Sequence, residues 1–208
     1  MSNFSLNKFL NPKEVICDDC YFKMGSIDKK FRIDGIKAIA LYEYNDFTKK
    51  IILQIKMNND YELAKNILSN KKNYLSKKFK NYCLTYVPST EESNNQRGFN
   101  HVETIFSDIT IESERLFLKK ENYKQSNVKF KDRKGISKVI GLKKVPKSNK
   151  NYLLLDDIVT SQNSLKACIN LLKKNNVSNI KVLVFAYNCR NSKKFSLSKF
   201  SIKRIFKI

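Results

Sequence analysis

One stretch limits the folds open to this chain more than any other. Tyr152 to Leu155 form a short apolar run, the pattern of a strand buried on both faces. Two adjacent carboxylates, Asp156 and Asp157, close that run, and Thr160, Ser161, Gln162, Asn163 and Ser164 follow as a string of small polar residues. Leu165, Cys168, Ile169 and Leu172 then recur at helical spacing on one face. The order is strand, acidic pair, polar loop, helix.

That order carries chemistry. In an open parallel sheet, ligands bind where strands end and helices begin, and a helix N-terminus favours phosphate. The polar loop can offer hydroxyls and backbone N–H groups to one phosphate. The two aspartates can hold a sugar diol or a metal-bound polyphosphate. Alone, an acidic pair reads as a solvated turn and a Ser or Asn before a helix as an ordinary cap. Together they point to a phosphorylated sugar.

The remaining strands and helices predict the same architecture. Ile36 to Tyr44 reads as a strand, Asp46 as the cap of a helix through Met57, and Tyr61 to about Phe79 as a second helix. Cys83 to Val87 is another buried strand, ended by Pro88, and Val102, Ile105, Phe106 and Ile109 mark an amphipathic helix. Ile180 to Tyr187 is a further central strand, and Ile202–Ile208 could add one at the edge. Strands alternating with helices predict an α/β fold with a mainly parallel central sheet flanked by helices. The loaded loops follow Val87 and Leu155, and they share one sheet edge if those strands are neighbours.

Of 208 residues, 41 are Lys or Arg and 19 are Asp or Glu, a formal charge of +22. A field of that sign attracts polyanions, although an abundance of Lys and Asn also suits an AT-rich genome. The Lys-rich region 119–151, with Lys129, Lys131, Arg133 and Lys134 at its centre, reads either as a loop over a phosphate site or as a helix with a charged face. Those four cations are the candidate nucleic-acid contacts.

Residues 1–26 form a polar arm, and residues 27–208 the main domain. No stretch reaches the roughly 20 apolar residues of a membrane span, and nothing reads as a signal peptide. Five cysteines, an odd number, suit free thiols in a reducing compartment, so a cytoplasmic location is expected. Cys17 and Cys20 in the arm make a CxxC, half of a four-ligand zinc site.

The stretch Leu153 to Ser164 resembles the phosphoribosyl pyrophosphate (PRPP) signature of type I phosphoribosyltransferases: an apolar run, two acids, two variable positions, then Thr-Thr-Gly-x-Thr. Val87-Pro88 followed by Arg97-Gly98-Phe99-Asn100 is similar to the ComF (ComFC) competence family, as are Lys124-Gln125-Ser126 and Asp132-Arg133. The resemblance implies a type I phosphoribosyltransferase-like fold with Asp156 and Asp157 on the ribose hydroxyls, directly or through Mg²⁺. It implies that Thr160, Ser161, Gln162, Asn163 and Ser164 wrap the 5′-phosphate. Val87, Pro88 and Ser89 would form the pyrophosphate loop, with Arg97 as a catalytic cation beside it. It further implies single-stranded DNA and the competence DNA-uptake machinery as partners, in natural transformation; an active transferase passing ribose 5-phosphate to a base or amine is the alternative.

This chain departs from the pattern at four places. Ser161 stands for the signature's second Thr and preserves the hydroxyl. Gln162 stands where the signature has glycine, a position that penalises a side chain if its φ is positive. A single CxxC stands where the family carries a four-cysteine zinc module. His101 follows Asn100 where the family usually has Gln, and it reads as a surface helix residue with no role as a base.

Overall fold

The apolar run at 152 is the start of a longer strand, and a five-stranded sheet is assembled around it. The computed structural model describes residues 16–110, 112–119 and 139–188. Lys124–Ser126, Lys129, Lys131, Arg133, Lys134, Cys189 and the edge strand expected at 202–208 lie outside the described residues.

The elements in chain order are α1 (Asp18–Met24), β1 (Ser26–Ile33), β2 (Ile36–Glu43), α2 (Asp46–Met57) and α3 (Tyr61–Asn66). They continue with α4 (Lys72–Phe79), β3 (Cys83–Tyr86), α5 (Glu91–Arg97) and α6 (His101–Phe106). The last are β4 (Phe117–Lys119), β5 (Ile140–Leu142), β6 (Tyr152–Val159), α7 (Asn163–Lys174) and β7 (Ile180–Tyr187). The main sheet has the order β1-β2-β7-β6-β3, and β4 and β5 form a separate antiparallel pair. β2, β7, β6 and β3 are mutually parallel, and only β1 runs antiparallel. The fold is α/β with a mainly parallel sheet, as the alternating pattern predicts.

β6 has a strand on each side and helices over each face, which is why Tyr152 to Leu155 needs no polar alternation. Leu153 and Leu155 join Ile52, Ile55, Ile105 and Phe106 in one core. Leu154 joins Val182, Cys168, Ile169 and Leu172 under α7 in the other.

Four expectations about local structure are revised. The strand does not stop at Leu155: it continues to Val159, so the acidic pair sits within it. β7 supplies ladder partners as far as Tyr187, and that pairing extends the strand beyond its apolar run. The helix expected over Tyr61–Phe79 is two helices joined by a 3₁₀ turn at Ser69–Lys71, because Leu68, Ile67 and Leu75 must all reach the core. Asn45, not Asp46, caps α2, accepting a hydrogen bond from the Thr48 N–H at 2.8 Å. β1 was not foreseen, since its alternating Asp, Lys and Arg positions hide an edge strand with Ile33 buried. Residues 16–26 of the N-terminal arm hold α1 and the first residue of β1, and Met24 is buried in the main core.

Leu155 is fully buried. Leu155→Ala should lower stability by about 2–5 kcal/mol, read as a shift of the urea midpoint at unchanged slope.

Candidate functional site

β3 and β6 pair in parallel with Tyr86 opposite Leu155, and the Val87 N–H donates to the Leu155 carbonyl at 2.9 Å. The loop at Val87–Ser89 and the loop at Thr160–Gln162 therefore leave adjacent strands at the same edge. Sequence reasoning made this conditional on the strands being neighbours, and they are.

The Arg97–Asn100 stretch is a helix stop followed at once by a helix start. Gly98 ends α5 with φ 76°, and the Asn100 side chain accepts from the Glu103 N–H to open α6. This break sets Arg97 close to His101, with Nη1 at 3.1 Å from Nδ1. His101 Nε2 in turn lies 3.1 Å from Asp157 Oδ2, and Lys56 at the end of α2 makes an ion pair with the same oxygen. Asp157 Oδ1 accepts from the Ile158 N–H at 2.7 Å. Lys56 of α2, His101 of α6 and the Ile158 N–H of β6 thus converge on one carboxylate, with Arg97 of α5 one link behind His101.

The proton positions in this chain follow from chemistry. Arginine has donors and no acceptor, so the Nδ1 facing Arg97 must be the unprotonated nitrogen. The other ring nitrogen then carries the hydrogen and donates to Asp157. His101 is neutral, and burial holds its pKa below the usual value against the pull of Asp157. Burial alone would raise Asp157, but the His101 hydrogen bond and the Lys56 charge outweigh it and hold the carboxyl below the usual range. His101 is 4% exposed and Asp157 7%. The expectation of a surface histidine is therefore corrected: α6 is packed against β6 and α3, so its first residue faces inward.

Asp156 differs. Its carboxylate is half-buried, accepts from the Asp157 N–H at 2.9 Å, and has no ion pair among the described residues. Burial first, and the neighbouring Asp157 charge second, push its pKa well above the carboxylate range. The pair therefore divides its work: one member ionised and fully engaged by the protein, the other inclined to keep its proton.

The polar loop reaches α7 through Gln162, whose φ of 61° and ψ of −1° lie in the left-handed region. The glycine position of the signature does require positive φ, and here a residue with a Cβ occupies it. Thr160 and Ser161 are exposed, while Gln162, Asn163 and Ser164 are half-buried at the helix N-terminus.

Val87 is buried and Pro88 and Ser89 are half-buried. A cavity of about 220 Å³ opens beside them, lined among others by Asn94, Asn100, Phe117 and the cations Arg115, Lys119 and Lys143. Those three cations were not singled out from the sequence, where nothing separates them from other basic residues. Arg97 does not line this cavity, and its guanidinium is engaged by His101. Lys56 was also missed, although it extends the buried stripe of Thr48, Ile52 and Ile55 by one more helical step. A lysine on an apolar stripe must find a carboxylate.

Among the described residues no third ligand joins Cys17 and Cys20. Cys17 is exposed at the N-cap of α1, Cys20 is half-buried one turn on, and their sulfurs lie 3.4 Å apart. Among the described residues one His/Cys/Asp/Glu cluster gathers elsewhere, Cys83 with Glu112 and Glu114, and Lys150 pairs with both glutamates. That cluster is an ion-pair network.

No protein-family model matches the chain. It is 27% identical over 150 residues to the competence protein ComFC of Streptococcus pneumoniae, covering 71% of this chain and 66% of the relative. It is 24% identical over 169 residues to the ComFC of Bacillus subtilis, covering 80% and 70%. The chain is a sequence relative of the ComFC competence proteins. Its match spans about two thirds of their length. A hypoxanthine phosphoribosyltransferase from Staphylococcus aureus superposes at a TM-score of 0.37 with 16% identity, over 63% of this chain and 70% of that one.

Because the fold depresses the His101 pKa, neutral His101 contributes stability above its ordinary value of about 6.5, and that contribution is lost as pH falls through the lower folded-state value. A glutamine can accept from Arg97 and donate to Asp157 without titrating. His101→Gln should therefore flatten the fall in chemical-denaturation stability between pH of about 6.5 and 5. An unchanged slope would remove His101 as its cause.

Proposed function

We propose that the edge formed by the loops after β3 and β6 binds a phosphorylated ribose of the PRPP class, in a protein that serves DNA uptake during natural transformation. The observation that carries this reading is the division of the acidic pair. Asp157 is fixed by Lys56 and His101, which leaves Asp156 as the acid available to a ligand. Its carboxylate oxygens can accept from the sugar hydroxyls of such a ligand. Thr160, Ser161 and the N-terminus of α7 suit the 5′-phosphate. Arg115, Lys119 and Lys143, in the cavity beside Pro88 and Ser89, suit the diphosphate.

Magnesium fits this site through Asp156 and the phosphates of the ligand. Asp157 has both oxygens committed to protein donors, so it serves as a positioning residue. When bound, the ion would neutralise diphosphate charge. The resemblance to ComFC supports the competence role, and the charge of +22 supports contact with single-stranded DNA.

Titration calorimetry with PRPP and Mg²⁺ tests this reading. A ligand held by the ionised carboxylate competes with protonation at Asp156, whose pKa burial and Asp157 raise. Affinity should therefore fall as pH is lowered, and Asp156→Asn should weaken that dependence. Gln162→Gly should tighten binding and raise stability by up to about 1 kcal/mol, since glycine removes the left-handed strain. Identical heats from the native chain and Asp156→Asn would contradict the assignment. Pyrophosphate release that depends on one base or amine would establish turnover as well as binding.

A further inference from the structure

A second groove, of about 600 Å³, lies at the opposite end of the sheet from the acidic pair. The strands β2 and β7 begin there, whereas the loops after β3 and β6 leave from their C-terminal ends. Lys30, Arg32, Lys37, Lys78 and Lys181 line it, together with Phe31 and Phe79, and no carboxylate does. Some cations elsewhere find acids, such as Lys23 with Asp19, Lys71 with Asp28 and Lys166 with Asp34, while single lysines such as Lys49, Lys50 and Lys174 have no ion pair among the described residues; the groove differs in gathering five such cations. None of the five groove cations pairs with a carboxylate among the described residues.

The arrangement is organised by the sheet. Arg32 on β1 stands directly opposite Lys37 on β2. Lys37 precedes Ala38, whose parallel partner is Val182, so Lys181 takes the next place in the row on β7. Three adjacent strands thus present three cations on one face, across roughly 10 Å at the ordinary spacing between strands. Like charges directly opposite on neighbouring strands destabilise a sheet. Lys181 is further fixed by the Tyr82 ring, with Nζ 4.7 Å from its centroid. A row of unneutralised charge held by a rigid sheet is complementary to a polyanion with regularly spaced charges.

We propose that this groove binds the phosphate backbone of single-stranded nucleic acid. The inference rests on the nucleic-acid half of the proposed function and assigns it a surface separate from the sugar-phosphate site. A concave groove with cations on its walls suits a flexible single strand. A flat bilayer surface has no comparable fit to a concavity.

Fluorescence anisotropy with a labelled oligothymidine, measured at graded salt, tests the assignment. Each phosphate contact contributes a slope of about −0.7 to log Kobs against log salt for a single strand. Arg32→Gln/Lys37→Gln/Lys181→Gln should therefore flatten the slope by about 2. Its thermal midpoint should not fall, since the substitutions relieve repulsion between neighbours. Lys49→Gln/Lys50→Gln/Lys174→Gln removes the same charge from exposed helical positions and should change the slope by much less. Equal effects from the two triple variants, or a groove variant that binds like the native chain, would overturn the groove assignment while leaving nucleic-acid binding intact. A native chain that does not bind the oligonucleotide at low salt would overturn both. Equal retention by phosphatidylglycerol vesicles, lost in the groove variant alone, would assign the groove to a membrane surface and also overturn the proposal.

Discussion

The carboxylate of Asp157 is the constraint on which the site depends. A buried negative charge is costly unless it is paired and hydrogen-bonded. Here the compensation comes from three directions: Lys56 from α2, His101 from α6, and the backbone N–H of Ile158. Arg97 at the end of α5 extends the chain by one link through His101. Removing any member leaves a buried polar group without its partner, so α2, α5, α6 and β6 are held in mutual register at the sheet edge. The acidic pair is for that reason asymmetric, with Asp157 committed to the fold and Asp156 without an ion pair among the described residues.

Two local devices make this possible. Gly98 and Asn100 end one helix and start another within a few residues, which brings Arg97 and His101 together. Gln162 carries the chain from strand to helix in a left-handed conformation that glycine would adopt without penalty. The protein therefore retains the loop geometry at some cost in backbone strain. Such strain is tolerated where the surroundings fix the backbone, and here β6 and α7 both do so.

Much of this was legible in the sequence because the signals are local. The apolar run before Asp156, the helical stripe of Leu165, Cys168, Ile169 and Leu172, and the Pro88 stop each report on their own neighbourhood. The glycine missing at position 162 was legible as well, but the positive φ there was only a condition until the structure supplied it. The roles of Lys56 and His101 were not, since both depend on partners distant in the chain. Asp157 lies 101 residues beyond Lys56 and 56 beyond His101, and no periodicity links them. A lysine on the apolar stripe of α2 was the one available hint. β1 stayed hidden because an edge strand with one solvated face can carry Lys and Arg at every second position, and those same residues line the second groove.

His101 is the only histidine in the chain, so its imidazole can be observed without assignment ambiguity. Long-range ¹H–¹⁵N correlation spectra of the ring, recorded at pH 7 and then through an acid titration, test the central claim directly. A neutral ring with its hydrogen on Nε2, titrating below the ordinary value of about 6.5, is the expected result. A ring that is charged at pH 7, or neutral with its hydrogen on Nδ1, would contradict the Arg97–His101–Asp157 chain and with it the division of labour between the two aspartates.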